Sequence, residues 1–247
     1  MCTLSWEVSK GQRLHEVYFS RDEQRKRVKA EPPQLRKVHG VECLFPRDPA
    51  GGGTWMGVNA HGVVVCLLND YRIPFDYTSG ATYRSRGLLV TDALGKVSEL
   101  KSAGEQVRAM VAADDYAPFR LVLFAAGDAI CWCWNGEKLT EIKEVECPVT
   151  SSSWQSERVE DGRKEIFHTL VGEGEYSLER YHRHQIEGDS ESSVCMSREL
   201  TQTVSLSHVS VDYTSGVATI RYGARQGEEG GESAFEMEHS AELRLSS

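Results

Sequence analysis

Apolar residues recur at every second position in several short stretches of the chain, the spacing of half-buried strands. Leu4, Trp6 and Val8 share one parity, with polar residues between them. After Lys10-Gly11-Gln12 a second alternating run starts at Leu14 and continues from Glu16 to Phe19. Two such runs around a turn predict a β-hairpin, with Cys2 at its open end beside Ser20-Arg21-Asp22-Glu23. Residues 24 to 53 carry many charges, Pro32, Pro33, Pro46 and Pro49, and end in Gly51-Gly52-Gly53, so a loop is expected with one short strand at Val41 to Leu44. A second hairpin is expected at Thr54 to Asn59 and Val63 to Asn69, turning at Ala60-His61-Gly62. Its second strand is apolar on both parities and should be covered on both faces.

Helical spacing appears at Arg86 to Leu94 and at Val97 to Ala112, where Val97, Leu100, Ala103, Val107 and Met110 form one stripe. Strands are expected at Phe119 to Ala126, Ala129 to Trp134 and Leu139 to Val145, punctuated by Gly127-Asp128 and Asn135-Gly136. A helix is expected at Trp154 to Leu170, and residues 172 to 193, acidic and poor in aliphatics, should be mostly loop. Then come a hairpin at Thr201 to Asp212 and Val217 to Tyr222, a Gly/Glu-rich loop, and a closing strand at Phe235 to Leu245. Asp-Tyr-Thr-Ser-Gly occurs at Asp76 and again at Asp212, both times as turn chemistry. Helices are segregated and parallel βαβ alternation is absent, so the pattern is α+β with antiparallel sheets, expected as one domain over residues 1–247.

With 40% hydrophobic and 26% charged residues the composition is that of a globular protein with a core. No apolar run approaches the roughly 20 residues of a membrane span, and no secretory signal is visible, so a cytoplasmic protein is expected. The net charge of −9 argues against nucleic acid as partner, although Arg21 to Lys37 is a basic stretch. Seven cysteines, an odd and dispersed set, fit reduced thiols better than a disulfide framework.

Cys2 follows the initiator Met1. Removal of Met1 would leave a thiol and a free α-amine on one residue, and an amine with a reference pKa near 8 can take the proton of its own side chain. The hairpin should bring Arg21 close, favouring the thiolate, and Asp22 close enough to orient the amine. Position alone does not distinguish this arrangement from a cysteine that happens to be second.

Several motifs resemble a known family: Met1-Cys2-Thr3, Ser20-Arg21-Asp22-Glu23, Gly52 through Asn59, Gly62 through Asn69, and Ser85-Arg86-Gly87-Leu88-Leu89-Val90. Together, in this order, they resemble the transport and Golgi organisation family, also called the NRDE family after its Asn-Arg-Asp-Glu motif. Ser20 stands where that motif has its Asn. Residues 1 to 90 are covered well and the rest patchily. The same stretch is similar to the Cys-type N-terminal nucleophile hydrolases of the choloylglycine hydrolase and penicillin V acylase group.

That similarity implies a four-layer αββα sandwich with the nucleophile at the end of a central strand. It implies Cys2 as nucleophile, Arg21 as the adjacent arginine and Asn69 as an oxyanion donor. Asp22 fits less closely, because the hydrolases place their aspartate a few residues later. Ser152 and Ser153, within Thr150-Ser151-Ser152-Ser153-Trp154, fall where those enzymes supply a second oxyanion Asn. Arg198 is the candidate for their late arginine. Losing one oxyanion donor costs about 2.7–4 kcal/mol of barrier in a known protease.

The implied activity is hydrolysis or acyl transfer at a non-peptide linear amide through a Cys2 thioester, on a small-molecule acyl-amide substrate and with no cofactor required. The alternative is a non-catalytic protein that binds or traffics haem or lipid on the same scaffold. Elsewhere, Cys131 and Cys133 face one side of a strand and read as core, and they lack the partner pair of a zinc finger. His182-Arg183-His184 in the acidic loop is a weak metal or haem candidate, expected to be solvated. Gly51-Gly52-Gly53 precedes a strand and lacks the context of a phosphate-binding loop.

Overall fold

The computed structural model describes residues 2–9, 14–76, 82–227 and 234–246. Its strands are β1 (Cys2–Ser9), β2 (Leu14–Gln24), β3 (Glu31–Val38), β4 (Val41–Arg47), β5 (Met56–Asn59) and β6 (Val64–Asn69). They continue with β7 (Phe119–Ala125), β8 (Asp128–Trp134), β9 (Leu139–Ile142), β10 (Val149–Ser151), β11 (Thr201–Asp212), β12 (Val217–Ala224) and β13 (His239–Arg244). Helices α1 (Arg86–Lys96) and α2 (Leu100–Ala112) lie on one side of the molecule, α3 (Ser156–Ile166) and α4 (Leu178–Arg183) on the other. A π-helical turn, Phe167–Val171, extends α3.

Two antiparallel sheets are formed, ordered β10-β1-β2-β11-β12-β13 and β3-β4-β5-β6-β7-β8-β9. Between them pack Leu4, Val17, Phe19, Val64, Cys66, Leu68, Val122, Phe124, Val209 and Ile220. On the far side of the second sheet Val65, Leu67, Leu121, Leu123 and Trp132 meet Leu89, Leu94 and Val107 of α1 and α2. Strand β6 therefore feeds both cores, Val64, Cys66 and Leu68 to one and Val65 and Leu67 to the other, as its doubly apolar pattern requires. Each such side chain contributes about 1.5–3 kcal/mol on burial. The layers run helix, sheet, sheet, helix: the αββα sandwich. Among the described residues no helix is long and apolar enough to cross a membrane.

The first hairpin forms with Cys2 opposite Arg21 and Leu4 opposite Phe19. Its turn at Lys10-Gly11-Gln12 lies outside the described residues, as do residues 77–80 of the first Asp-Tyr-Thr-Ser-Gly segment and residues 228–233 of the Gly/Glu-rich loop. At the second copy, Asp212 Oδ1 accepts from the N–H groups of Thr214 (2.8 Å) and Ser215 (3.2 Å), the expected turn.

Two expectations are corrected. Residues 24 to 53 are not mainly loop, since they hold β3 and β4. Strand β3 is a sheet edge with most side chains at the surface, so its sequence lacks an apolar stripe. Pro32 and Pro33 sit where the β3–β4 register shifts between Glu31 and Gln34, and there no ladder hydrogen bond is lost. Residues 172 to 193 are mostly loop as expected, with the six-residue α4 set within them, and Val149–Ser151 form the three-residue strand β10. The closing strand is shorter than expected, His239–Arg244.

One close approach shapes the site. A Cβ on Gly53 would lie 2.1 Å from the carbonyl carbon of Gly87, so the Gly-rich loop and the start of α1 touch backbone to backbone. Thr54 N donates to Gly87 O across this seam at 3.1 Å.

Candidate functional site

Cys2 begins β1, between β2 and β10, with Arg21 opposite on one side and Ser151 on the other. Strand alternation turns Cys2 to the same side as Leu4, toward the second sheet. Across from it β6 ends in Leu67, Leu68 and Asn69. Cys2, Arg21, Asp22 and Asn69 line one cavity of about 440 Å3, together with Asp48, Trp55, Tyr71, Tyr83 and the Ser85–Gly87 entry to α1. The sequence-level candidates from the two hairpins thus meet at one place.

Cys2 is 9% exposed. Its main-chain nitrogen donates to Ser151 Oγ at 3.1 Å. Burial pushes the thiol above its ordinary value and the Asp22 charge adds to that, while the Asp22 N–H and Arg21 oppose it. Arg21 was expected to keep the thiol ionised; here its charge is outweighed by desolvation.

The Arg21 charge is also shared. Its guanidinium lies 4.6 Å from the Trp55 ring centroid, and Nη2 is 3.3 Å from Asp48 Oδ2 and 3.5 Å from Glu23 Oε2. Arg27 Nη2 reaches the same Asp48 oxygen at 2.6 Å. Burial works against the Asp48 charge, but the Arg27 hydrogen bond and the Arg21 charge hold its carboxyl below the usual range. Asp48 also organises the loop that follows: Oδ1 accepts from Ala50 N (3.1 Å), its carbonyl from Gly52 N (2.8 Å), and its own N–H bonds Gly53 O at 2.8 Å.

Asp22 points to the helical side of the first sheet. Oδ1 accepts from Thr203 Oγ1 at 2.6 Å, and Oδ2 lies 3.3 Å from Arg163 Nη1, a pair with both side chains fully buried. Arg163 also donates to Thr3 Oγ1 (2.9 Å) and Ser193 O (2.7 Å), tying α3 to the back of β1. Asn69 Nδ2 donates to the Tyr71 hydroxyl at 2.8 Å.

The remaining candidates lie elsewhere. Ser152 Oγ bonds within its own turn, to Trp154 O and N, and Ser153 is exposed. Arg198 stacks 4.7 Å over the Trp154 ring and has Nη2 3.5 Å from Ser152 Oγ. None of the three lines the Cys2 cavity. Ser151, one residue earlier, faces Cys2 instead, because β10 is registered with Cys2 opposite Ser151. The register of a three-residue strand has no signature in sequence. Asp48, Trp55, Arg163 and Thr203 were missed for a related reason: each reaches the site through tertiary pairing.

His182, expected to be solvated, is fully buried behind the first hairpin. Ser5 Oγ lies 2.8 Å from its Nε2 and Ser20 Oγ 2.7 Å from its Nδ1, so one ring bridges β1 and β2. Burial, with the nearby Arg163 charge, lowers its pKa to about 3.

A family model described as Transport and Golgi organisation 2 matches residues 1–226. No curated protein matches the chain by sequence. Among solved structures, a mutant of the conjugated bile acid hydrolase from Clostridium perfringens aligns with a TM-score of 0.51 at 13% identity, covering 100% of this chain and 97% of that one. A second variant of that hydrolase gives 0.49 at 12% identity, covering 99% and 97%. A Caenorhabditis elegans ortholog of N-acylethanolamine-hydrolyzing acid amidase gives 0.48 at 10%, covering 86% and 92%. At 13% identity the first likeness is one of fold, that of the N-terminal nucleophile hydrolases.

Proposed function

The chain belongs to the Transport and Golgi organisation 2 family, and from that premise we propose that it is an amidohydrolase or acyltransferase opening a non-peptide linear amide through a thioester on Cys2. The observation that carries this reading is the meeting of Cys2, Arg21 and Asn69 in one cavity, with Ser151 bonded to the Cys2 nitrogen. The fold supports it, since the first of the solved structures named above is by its name a hydrolase of conjugated bile acids.

Removal of Met1 turns the Cys2 nitrogen into an α-amine with a reference pKa near 8. A buried thiol held above its ordinary value needs such an internal base. The amine takes the thiol proton while Ser151 Oγ fixes its orientation, and Sγ attacks the amide carbonyl. The Asn69 amide donates to the developing oxyanion, and Arg21 balances charge beside the sulfur. The ammonium then protonates the leaving amine. Water clears the thioester in hydrolysis, or a second amine does so in acyl transfer.

The test is intact mass followed by treatment with an electrophilic acyl probe. Loss of Met1 and labelling at Cys2 ahead of the other cysteines are expected. A retained Met1, or labelling spread evenly over the thiols, would refute the reading.

A second reading, binding of haem or a lipid without turnover, draws on Arg27, Arg84 and Arg86, which line the same cavity and can meet acid groups. A Soret band on adding haem, abolished by Cys2→Ala, would favour it over catalysis.

A further inference from the structure

Cys131 and Cys133 stand two residues apart on β8, with Trp132 between them turned to the opposite core. Both sulfurs face the first sheet, 3.8 Å apart, within reach of a thiol hydrogen bond. Cys131 is buried and Cys133 half-buried. Across the β7–β8 ladder Cys133 pairs with Arg120.

Arg120 belongs to a charged group that the Cys2 chemistry does not use. Its Nε is 3.6 Å from Asp70 Oδ2 and its Nη2 3.5 Å from Glu160 Oε2. Arg72 pairs with Asp70 at 2.8 Å and approaches Glu160 at 4.0 Å. Two guanidiniums thus face two carboxylates. Burial pushes the Glu160 carboxyl above its usual range despite both arginines. When Glu160 holds a proton the group carries surplus positive charge, and Cys133 is the ionisable side chain beside it.

The two sulfurs divide accordingly. The Cys131 hydrogen bond lowers the Cys133 pKa, and Arg120 and Arg72 assist against burial and Asp70. Cys131, its hydrogen-bond partner and itself buried, is pushed up. One thiolate solvated by one thiol is the arrangement that starts thiol–disulfide exchange.

We propose that Cys131 and Cys133 form a redox-active dithiol that closes to a reversible disulfide by exchange with low-molecular-weight disulfides of the glutathione class. The Cys133 thiolate attacks one sulfur of the small disulfide, and the other sulfur leaves as a thiolate. Cys131 then gives up its proton and attacks the Cys133 sulfur, expelling the second small thiol. Two protein thiols are oxidised by two electrons, and one small disulfide is reduced to two thiols. Residues two apart on a strand have Cα atoms about 6.6–6.8 Å apart, at the long end of what a disulfide spans. The bond is therefore strained and easily reduced, which suits a reversible site rather than a structural bridge.

The test is incubation of the full chain with oxidised glutathione, then intact mass and peptide mapping without reductant. The expected result is loss of two hydrogen atoms, mapped to the peptide holding both cysteines and reversed by dithiothreitol. The C131S variant should instead stop with one glutathione on Cys133. Failure of Cys133 to react, glutathione persisting on Cys133 of the wild type, or pairing of either thiol with a different cysteine would each overturn the proposal.

Discussion

His182 supplies a prediction whose size follows from its surroundings. The ring is fully buried between Ser5 Oγ and Ser20 Oγ, and its pKa is lowered from an ordinary 6.5 to about 3. In that window the unfolded chain binds a proton that the folded chain refuses, so stability must fall as pH falls. At about 1.4 kcal/mol per pH unit, going from pH 7 to pH 4.5 removes roughly 2–3 kcal/mol through this residue alone. His182→Gln keeps a donor and an acceptor for the two serines but cannot titrate. Urea unfolding of both proteins at pH 7 and pH 4.5 separates the effects. The variant should be weaker by about 1–2 kcal/mol at pH 7, the scale of an imperfect hydrogen bond, yet lose roughly 2–3 kcal/mol less on acidification. His15 and His184, also lowered chiefly by burial, contribute equally to both proteins and cancel in the comparison. Equal losses in wild type and variant would refute the account of a neutral ring bridging the two strands.

Other consequences are equally direct. Asp22→Ala leaves the fully buried Arg163 without its carboxylate, and chemical denaturation should register a loss of about 3–5 kcal/mol; a loss under about 1 kcal/mol would contradict the pairing. Ser151→Ala removes the acceptor of the Cys2 nitrogen, so acyl-probe labelling of Cys2 should slow about tenfold for a stability change near 1 kcal/mol, with unchanged labelling as the contrary result. Gly53→Ala drives a methyl into the Gly87 backbone and should cost about 1–3 kcal/mol or more; an unshifted thermal midpoint would deny the contact.

The hairpins that carry Cys2, Arg21 and Asn69 were legible because one buried face stamps a period of two on the sequence, and β6 was legible because two buried faces remove it. Strand β3 was hidden by the same logic: an edge strand with a largely exposed face and two prolines has the composition of a loop. Helix α4 spans six residues, too few for a periodic stripe. At the site, the resemblance in the first ninety residues pointed to side chains that share one cavity, while in the later segment it is Ser151, and not Ser152 or Ser153, that stands opposite Cys2. Burial of His182 and Arg163 could not be read locally. Each polar group is tolerated inside because partners from distant segments satisfy it, Ser5 and Ser20 for one, Asp22, Thr3 and Ser193 for the other.

Asp48 joins two variables that are usually separate. The same residue that holds the Gly-rich loop through Ala50, Gly52 and Gly53 also holds the guanidinium beside Cys2. Displacing the loop therefore frees Arg21 from a counter-charge as it opens the cavity wall. An incoming acidic ligand that takes over Arg21 leaves Asp48 to Arg27 alone. Access to the Cys2 sulfur and the charge beside it thus share one carboxylate, that of Asp48.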